Sequence, residues 1–106
     1  MNTVGTIPGL DPDEMERIMS IFGSEPEVKE VILYGSRAKG THRPGSDIDL
    51  TLKGPNLSPE ILTDLMLRMD ELLLPYEIDL SIYDRIDNPD LIEHIDRAGK
   101  EIVRRD

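Results

Sequence analysis

Three aspartates and a Gly-Ser turn are the residues of this chain whose types and spacing could do chemistry. The stretch from Leu33 to Leu50 reads LYGSRAKGTHRPGSDIDL, with ten residues between Ser36 and Asp47 and one between Asp47 and Asp49. Gly35 lacks a Cβ, so the backbone there can turn sharply and come close to a ligand. Ser36 can open a short helix through Arg37, Ala38 and Lys39, whose first N–H groups would meet an anion. Arg37 and Lys39 add positive charge, so this half reads as a phosphate holder. The other half is opposite in sign. Ile48, Leu50 and Leu52 alternate with Asp47, Asp49 and Thr51, the period of a half-buried strand. Residues two apart on a strand share a face, so Asp47 and Asp49 lie on one side, roughly 6.5–7 Å apart along the chain. Asp is disfavoured in strands, and like charges on one face repel. A hard cation removes that conflict, since carboxylates bind Mg²⁺, which commonly takes further ligands from substrate phosphates. A phosphate cradle beside paired carboxylates is the minimum for metal-assisted phosphoryl or nucleotidyl transfer.

The elements that must position these groups follow from pattern and punctuation. Residues 1–10 read as a loose, flexible N-terminal arm, and residues 11–106 as a single domain. Asp11-Pro12 opens a helix with Asp13, Glu14 and Glu16 near its positive end. Met15, Ile18, Met19 and Phe22 recur at helical spacing until Gly23. That stripe reads as core. Val28–Tyr34 is the first strand, leading straight into Gly35. After the Asp-x-Asp strand, Lys53-Gly54-Pro55-Asn56 breaks the chain. Ser58-Pro59 then caps a helix carrying Ile61, Leu62, Leu65, Met66, Met69, Leu72 and Leu73. Pro75 stops it. Tyr76–Tyr83 alternates again, with Tyr76, Ile78, Leu80 and Ile82 on one side and Glu77, Asp79 and Ser81 on the other. Asn88-Pro89 caps a last helix bearing Leu91, Ile92, Ile95 and Ala98, Gly99 ends it, and residues 100–105 form a short final strand. The expectation is an α/β (α+β) domain: one small mixed sheet, with helices packed on its apolar face and acids on the opposite face.

If the second and third strands are neighbours, about 4.8 Å apart, Asp79 joins Asp47 and Asp49. Three carboxylates on one face could hold two divalent ions, roughly 3.5–4 Å apart in sites of this type. Two other motifs fail. Gly35 and Gly40 have Walker A spacing, but no Lys-Ser/Thr pair follows Gly40. Asp47–Leu52 begins like a calcium loop, yet Thr51 and Leu52 occupy the positions of a ligand and the turn glycine. His42 reads as a solvated loop residue, and His94 as a structural or inert residue on the exposed side of the last helix.

Composition sets the outer limits. Asp and Glu outnumber Lys and Arg by 22 to 12, giving a net charge of −10 and a pI near 4.5. Nucleic acid and anionic membrane would both be repelled, whereas a basic protein partner would not. Without cysteine there is no disulfide, zinc-thiolate site or thiol nucleophile, which fits a reducing cytoplasm. The longest apolar runs are too short to span a membrane, and residues 1–10 lack the basic and apolar regions of a signal peptide.

Gly-Ser, ten residues, Asp-x-Asp, followed by Asp79 in the strand EIDL, resembles the signature of the polymerase-β-like nucleotidyltransferase superfamily. The order of elements is similar from about residue 11 to 105, and the resemblance implies its palm-like core. Size and wording most resemble the minimal nucleotidyltransferases, single-domain members paired with a helical HEPN protein. That resemblance implies an antitoxin that adds AMP to a tyrosine of a HEPN ribonuclease toxin, within a hetero-complex. Carried over by position, Gly35, Ser36 and Arg37 would bind the triphosphate of ATP. Asp47 and Asp49 would ligate two Mg²⁺ ions, and Asp79 would ligate one and help deprotonate the attacking hydroxyl. Larger members add a C-terminal helical domain, a surface expected here from a partner or a second copy. Two further readings stand beside this one: a small-molecule transferase resembling the aminoglycoside-modifying enzymes, and an antitoxin that blocks its partner by occlusion alone.

Overall fold

The computed structural model describes residues 1–105. Its elements in chain order are β1 (Asn2–Thr3), α1 (Pro12–Gly23), β2 (Glu30–Tyr34), α2 (Ser36–Lys39), β3 (Ile48–Lys53), α3 (Pro59–Glu71), β4 (Ile78–Ile82), a 3₁₀ turn (Tyr83–Arg85), α4 (Pro89–Ala98) and β5 (Lys100–Arg104). Each long helix begins where its cap dictates. At α1 the Asp11 carboxylate accepts from the Glu14 N–H at 2.8 Å, and Glu14 Oε1 accepts from the Asp11 N–H at 3.1 Å, a reciprocal capping box. Ser58 caps α3 through the Ile61 N–H, and Asn88 caps α4 through the Asp90 and Leu91 N–H groups.

The five strands form one mixed sheet in the order β1-β5-β2-β3-β4. β3 and β4 run parallel, and the other pairs are antiparallel. Parallel neighbours need a crossover, and α3 supplies it. Val31, Leu33, Ile48, Leu50 and Leu52 are wholly buried on one side of the sheet, packed with Ile18 and Phe22 of α1 and Leu65 of α3. This is the expected mixed sheet, with α1 and α3 on its apolar face.

The fold departs from the sequence reading at its amino terminus and at α4, among other places. Residues 1–10 were expected to be a loose arm, yet Asn2–Thr3 pairs with Val103 and Arg104, and Ile7 is buried in the core. Ile7 in the core, Leu10 packed against it and the Pro8 carbonyl on Arg37 anchor it, and a two-residue strand is too short to leave a periodic signal. The second departure concerns α4, expected on the apolar face with the other helices. Along β2, Ile32 and Tyr34 point away from the core that Val31 and Leu33 enter. α4 meets that outer side: Tyr34 lies edge-on to His94, and Gly99 is packed against Ile32. Since Tyr34 is the register partner of Asp49, α4 shares a face with the acids and covers the β2 half of it.

The closeness of that packing depends on Gly99. A Cβ there would meet the Ile95 carbonyl oxygen at 2.5 Å and Ile32 Cγ2 at 2.7 Å. Gly99→Ala is therefore expected to push α4 off the sheet and cost about 1–3 kcal/mol, measured as a lower urea midpoint.

Candidate active site

Pairing of β3 with β4 fixes the centre of the site. Asp49 and Asp79 are direct register partners, flanked by Ile48 against Ile78 and Leu50 against Leu80. The apolar partners enter the core, so the two carboxylates emerge together on the opposite face. Asp47 precedes β3 on that same face and is exposed, as is Asp79, while Asp49 is half-buried. Asp47 and Asp79 also line one polar depression of about 290 Å³ with Asp70, Tyr76, Glu77 and Ile78.

The Gly-Ser turn closes onto this group from the end of β2. Gly35 has φ +77°, a conformation disfavoured for L side chains, and a Cβ there would collide with Asp49 Oδ2. Glycine thus lets the Asp49 carboxylate lie directly against the turn. Ser36 is the first residue of the single-turn α2, whose first internal bond runs from the Lys39 N–H to the Gly35 carbonyl at 3.1 Å. The N–H groups of Ser36, Arg37 and Ala38 precede that bond and have no partner within the helix.

Charge is uncompensated at this point. Burial, then Asp79, then Asp47 hold the Asp49 carboxyl above its ordinary pKa. The Tyr34 phenol belongs to the same neighbourhood. Burial pushes it up most, Asp79 and Asp49 push it further, and a hydrogen bond with Ser81 opposes them. Ser81 in turn donates to Thr51 Oγ1 at 3.0 Å, so a short hydroxyl chain runs behind the acids.

The placement of the expected site residues is uneven. Asp47, Asp49, Asp79, Gly35 and Ser36 gather around one face. Arg37, expected at the phosphate, does not. Its guanidinium is 2% exposed, donates to the Ser46 carbonyl at 2.7 Å and the Pro8 carbonyl at 2.7 Å, and lies over the Tyr76 ring. Its donors hold the residue 41–47 loop to the amino-terminal segment, because buried carbonyls there need partners that a four-residue helix cannot give. His94, read as inert on an exposed face, instead accepts a hydrogen bond from the Gly35 N–H at Nε2, 3.4 Å away. Leu91, His94, Ile95 and Ala98 lie on one helical stripe, so the i, i+3, i+4, i+7 test would have turned His94 inward. Tyr34 and Ser81 had no signal beyond their strand parity.

A ready-made metal cluster is also not assembled. Among the described residues, no three His, Cys, Asp or Glu side chains stand close enough to hold one metal ion. The donor chemistry nonetheless suits a hard divalent cation: three carboxylates, like-charged and within electrostatic reach, on one face. His42 sits in the loop against Gly9, away from the three aspartates.

Residues 16–106 match the family model described as polymerase beta, nucleotidyltransferase. No curated protein matches the sequence. Among solved structures, one of a toxin–antitoxin with AMP-PNP aligns at a TM-score of 0.68 and 20% identity, over 91% of this chain and 75% of that one. A Shewanella oneidensis complex of a tri-AMPylated HEPN toxin with an MNT antitoxin gives 0.63 and 17%, over 87% and 71%. A putative nucleotidyltransferase from Sulfolobus solfataricus gives 0.51 and 18%, over 92% and 93%. At these identities the likeness is one of fold.

Two outcomes follow from the site's electrostatics and contacts. A carboxyl whose folded pKa is raised costs stability once ionised, and that cost fades as pH falls through the raised value towards the unfolded one. Asp49→Asn should therefore be more stable than the parent near neutral pH without divalent ions. The gain should vanish below the ordinary carboxylate range, as urea midpoints across pH would record. His94→Leu should speed hydrogen exchange of the Gly35 amide, whereas His94→Gln, which keeps an acceptor, should restore part of the protection.

Proposed function

Since the chain belongs to the polymerase beta nucleotidyltransferase family, we propose that it moves AMP from ATP to a tyrosine hydroxyl of a HEPN ribonuclease toxin, as that toxin's antitoxin in the cytoplasm. The observation that carries this reading is the register of β3 and β4, which sets Asp49 beside Asp79, with Asp49 itself against the Gly35 turn. Nothing in the folding of a central strand asks for an aspartate at the Asp49 position.

The roles divide by chemistry. Gly35 and Ser36 receive the triphosphate, through close backbone approach and the free N–H groups opening α2. Asp47, Asp49 and Asp79 are the residues that would hold two Mg²⁺ ions. When bound, such ions offset the charge that builds on the phosphate oxygens. Asp79, exposed on the edge strand, helps take the proton from the acceptor hydroxyl. That oxygen attacks the α-phosphorus in line, a new P–O bond forms, and pyrophosphate leaves. Arg37 acts outside the chemistry, fixing the loop that delivers Asp47. The solved HEPN toxin–MNT antitoxin complex of like fold, with its tri-AMPylated toxin, supports a HEPN acceptor here.

The net charge of −10 favours one alternative acceptor, a small polycation such as an aminoglycoside. Intact-mass spectrometry separates the readings. With ATP and Mg²⁺, a co-expressed HEPN toxin should gain mass in AMP units, and Asp47→Asn or Asp49→Asn should abolish the gain while leaving the circular dichroism unchanged. Full neutralisation of the toxin by those variants in cells would mean inhibition by occlusion. Modification of an aminoglycoside by the chain alone would favour the small-molecule acceptor.

A further inference from the structure

The end of α3 carries an apolar surface that the core does not use. Leu73 follows the helix cap with φ +54°, the left-handed position where glycine or asparagine is usual and a larger side chain is strained. Its N–H reaches the Asp70 carbonyl at 3.2 Å, but its side chain stands in water, 88% exposed. Burial therefore offers no reason for a leucine at this point. Met66 and Leu67, on the preceding turn, are also exposed, so three of the five exposed large hydrophobics among the described residues lie at this one helix end. Met66 and Asp70 share one stripe of α3, and Leu73 follows just beyond the helix end. Asp70 also lines the depression that holds Asp47 and Asp79, so the stripe runs to the rim of the candidate site.

Charge decides what could cover it. Arg68 and the Arg17 guanidinium on the Leu72 carbonyl stand near, but Asp70, Glu71 and the depression's Asp47, Glu77 and Asp79 outnumber them, and the whole chain carries −10. A second copy would bring the same sign to the contact and be repelled, whereas a basic surface would be drawn in.

We propose that the α3 end around Leu73 docks a basic protein that carries the acceptor hydroxyl, with Leu73 in apolar contact and the partner's lysines or arginines facing the acids of the rim. Docked there, the acceptor reaches the site from the Asp79 side. The identity of what arrives rests on the nucleotidyl-transfer reading, and the docking itself does not.

Two labelled peptides test this against the full chain by fluorescence anisotropy: a tyrosine flanked by alternating lysine and leucine, and the same sequence with glutamate for lysine. The parent should bind the lysine peptide and not the glutamate one. Leu73→Gly should weaken that binding about tenfold, the usual scale for a contact carrying real binding energy. Its unfolding midpoint should hold or rise, because glycine relieves the strained backbone. Met66→Ser with Leu67→Ser should weaken binding in the same direction. The proposal is overturned if the parent ignores the lysine peptide, if Leu73→Gly binds it as tightly as the parent, or if sedimentation shows the parent self-associating through Leu73. AMP transfer to the peptide tyrosine is read separately by mass. Binding without transfer upholds the docking face and counts only against the transfer reading.

Discussion

Two carboxylates held side by side on adjacent strands repel one another, and the sheet is arranged so that they cannot part. β3 and β4 are parallel because α3 crosses between them, and their register is fixed by the apolar residues that alternate with the acids. A slip of one residue would carry Ile48, Leu50 and Leu52 out of the core, a loss of several kcal/mol at the usual value of about 1.5–3 kcal/mol per buried side chain. The core thus enforces an electrostatic conflict on the opposite face. Burial first, and that conflict after it, hold the Asp49 carboxyl above its ordinary pKa.

Everything around the acids serves to bring other groups to them without relieving the charge. β2 ends at the level of Asp49, and only a glycine can follow, since any Cβ would occupy the carboxylate's place. The loop that returns from α2 to Asp47 is held from behind by Arg37, whose buried guanidinium bridges Ser46 and Pro8. That tie is also why the amino-terminal segment is docked rather than loose. α4 covers the other half of the face and meets the Gly35 amide through His94. The acid face is therefore divided, with one half sealed by a helix and the other left open to a ligand.

Most of the fold was legible because its signals are periodic and long. α1, α3, β3 and β4 each repeat their pattern over several residues, and caps such as Asp11 and Ser58 mark the boundaries. Asp49 and Asp79 stand out in the sequence because their residue type contradicts their strand setting, and Asp47 only by its spacing from Asp49. What escaped lies where pattern is short or a residue has two uses. Arg37 on a four-residue helix has no periodicity to show which way it points, and an arginine beside a Gly-Ser turn suggests phosphate as readily as buried carbonyls. His94 was read against a stripe centred on Leu91, Ile92 and Ile95, although its spacing from Leu91 and Ala98 also fits the inward side. β1 has two residues, too few for any alternation, so its pairing with β5 is a tertiary fact. The covering of the acid face by α4 is likewise set by Gly99 against Ile32, a contact between distant parts of the chain.

Among the three acids, Asp49 bears most of the argument. Asp79 lies on β4, the edge of the sheet, where a charge is useful in any protein because it discourages pairing with another chain. Asp47 precedes its strand in an exposed loop, a setting where aspartate is ordinary. Neither residue alone demands a ligand. Asp49 has a paired strand on each side, is half-buried, presses against a glycine turn and feels both other carboxylates. No edge needs guarding there and no cation of the protein is paired with it among the described ion pairs. A side chain so placed costs the fold stability and gains nothing within it, which is why the proposed cation site is centred on Asp49 rather than on Asp47 or Asp79.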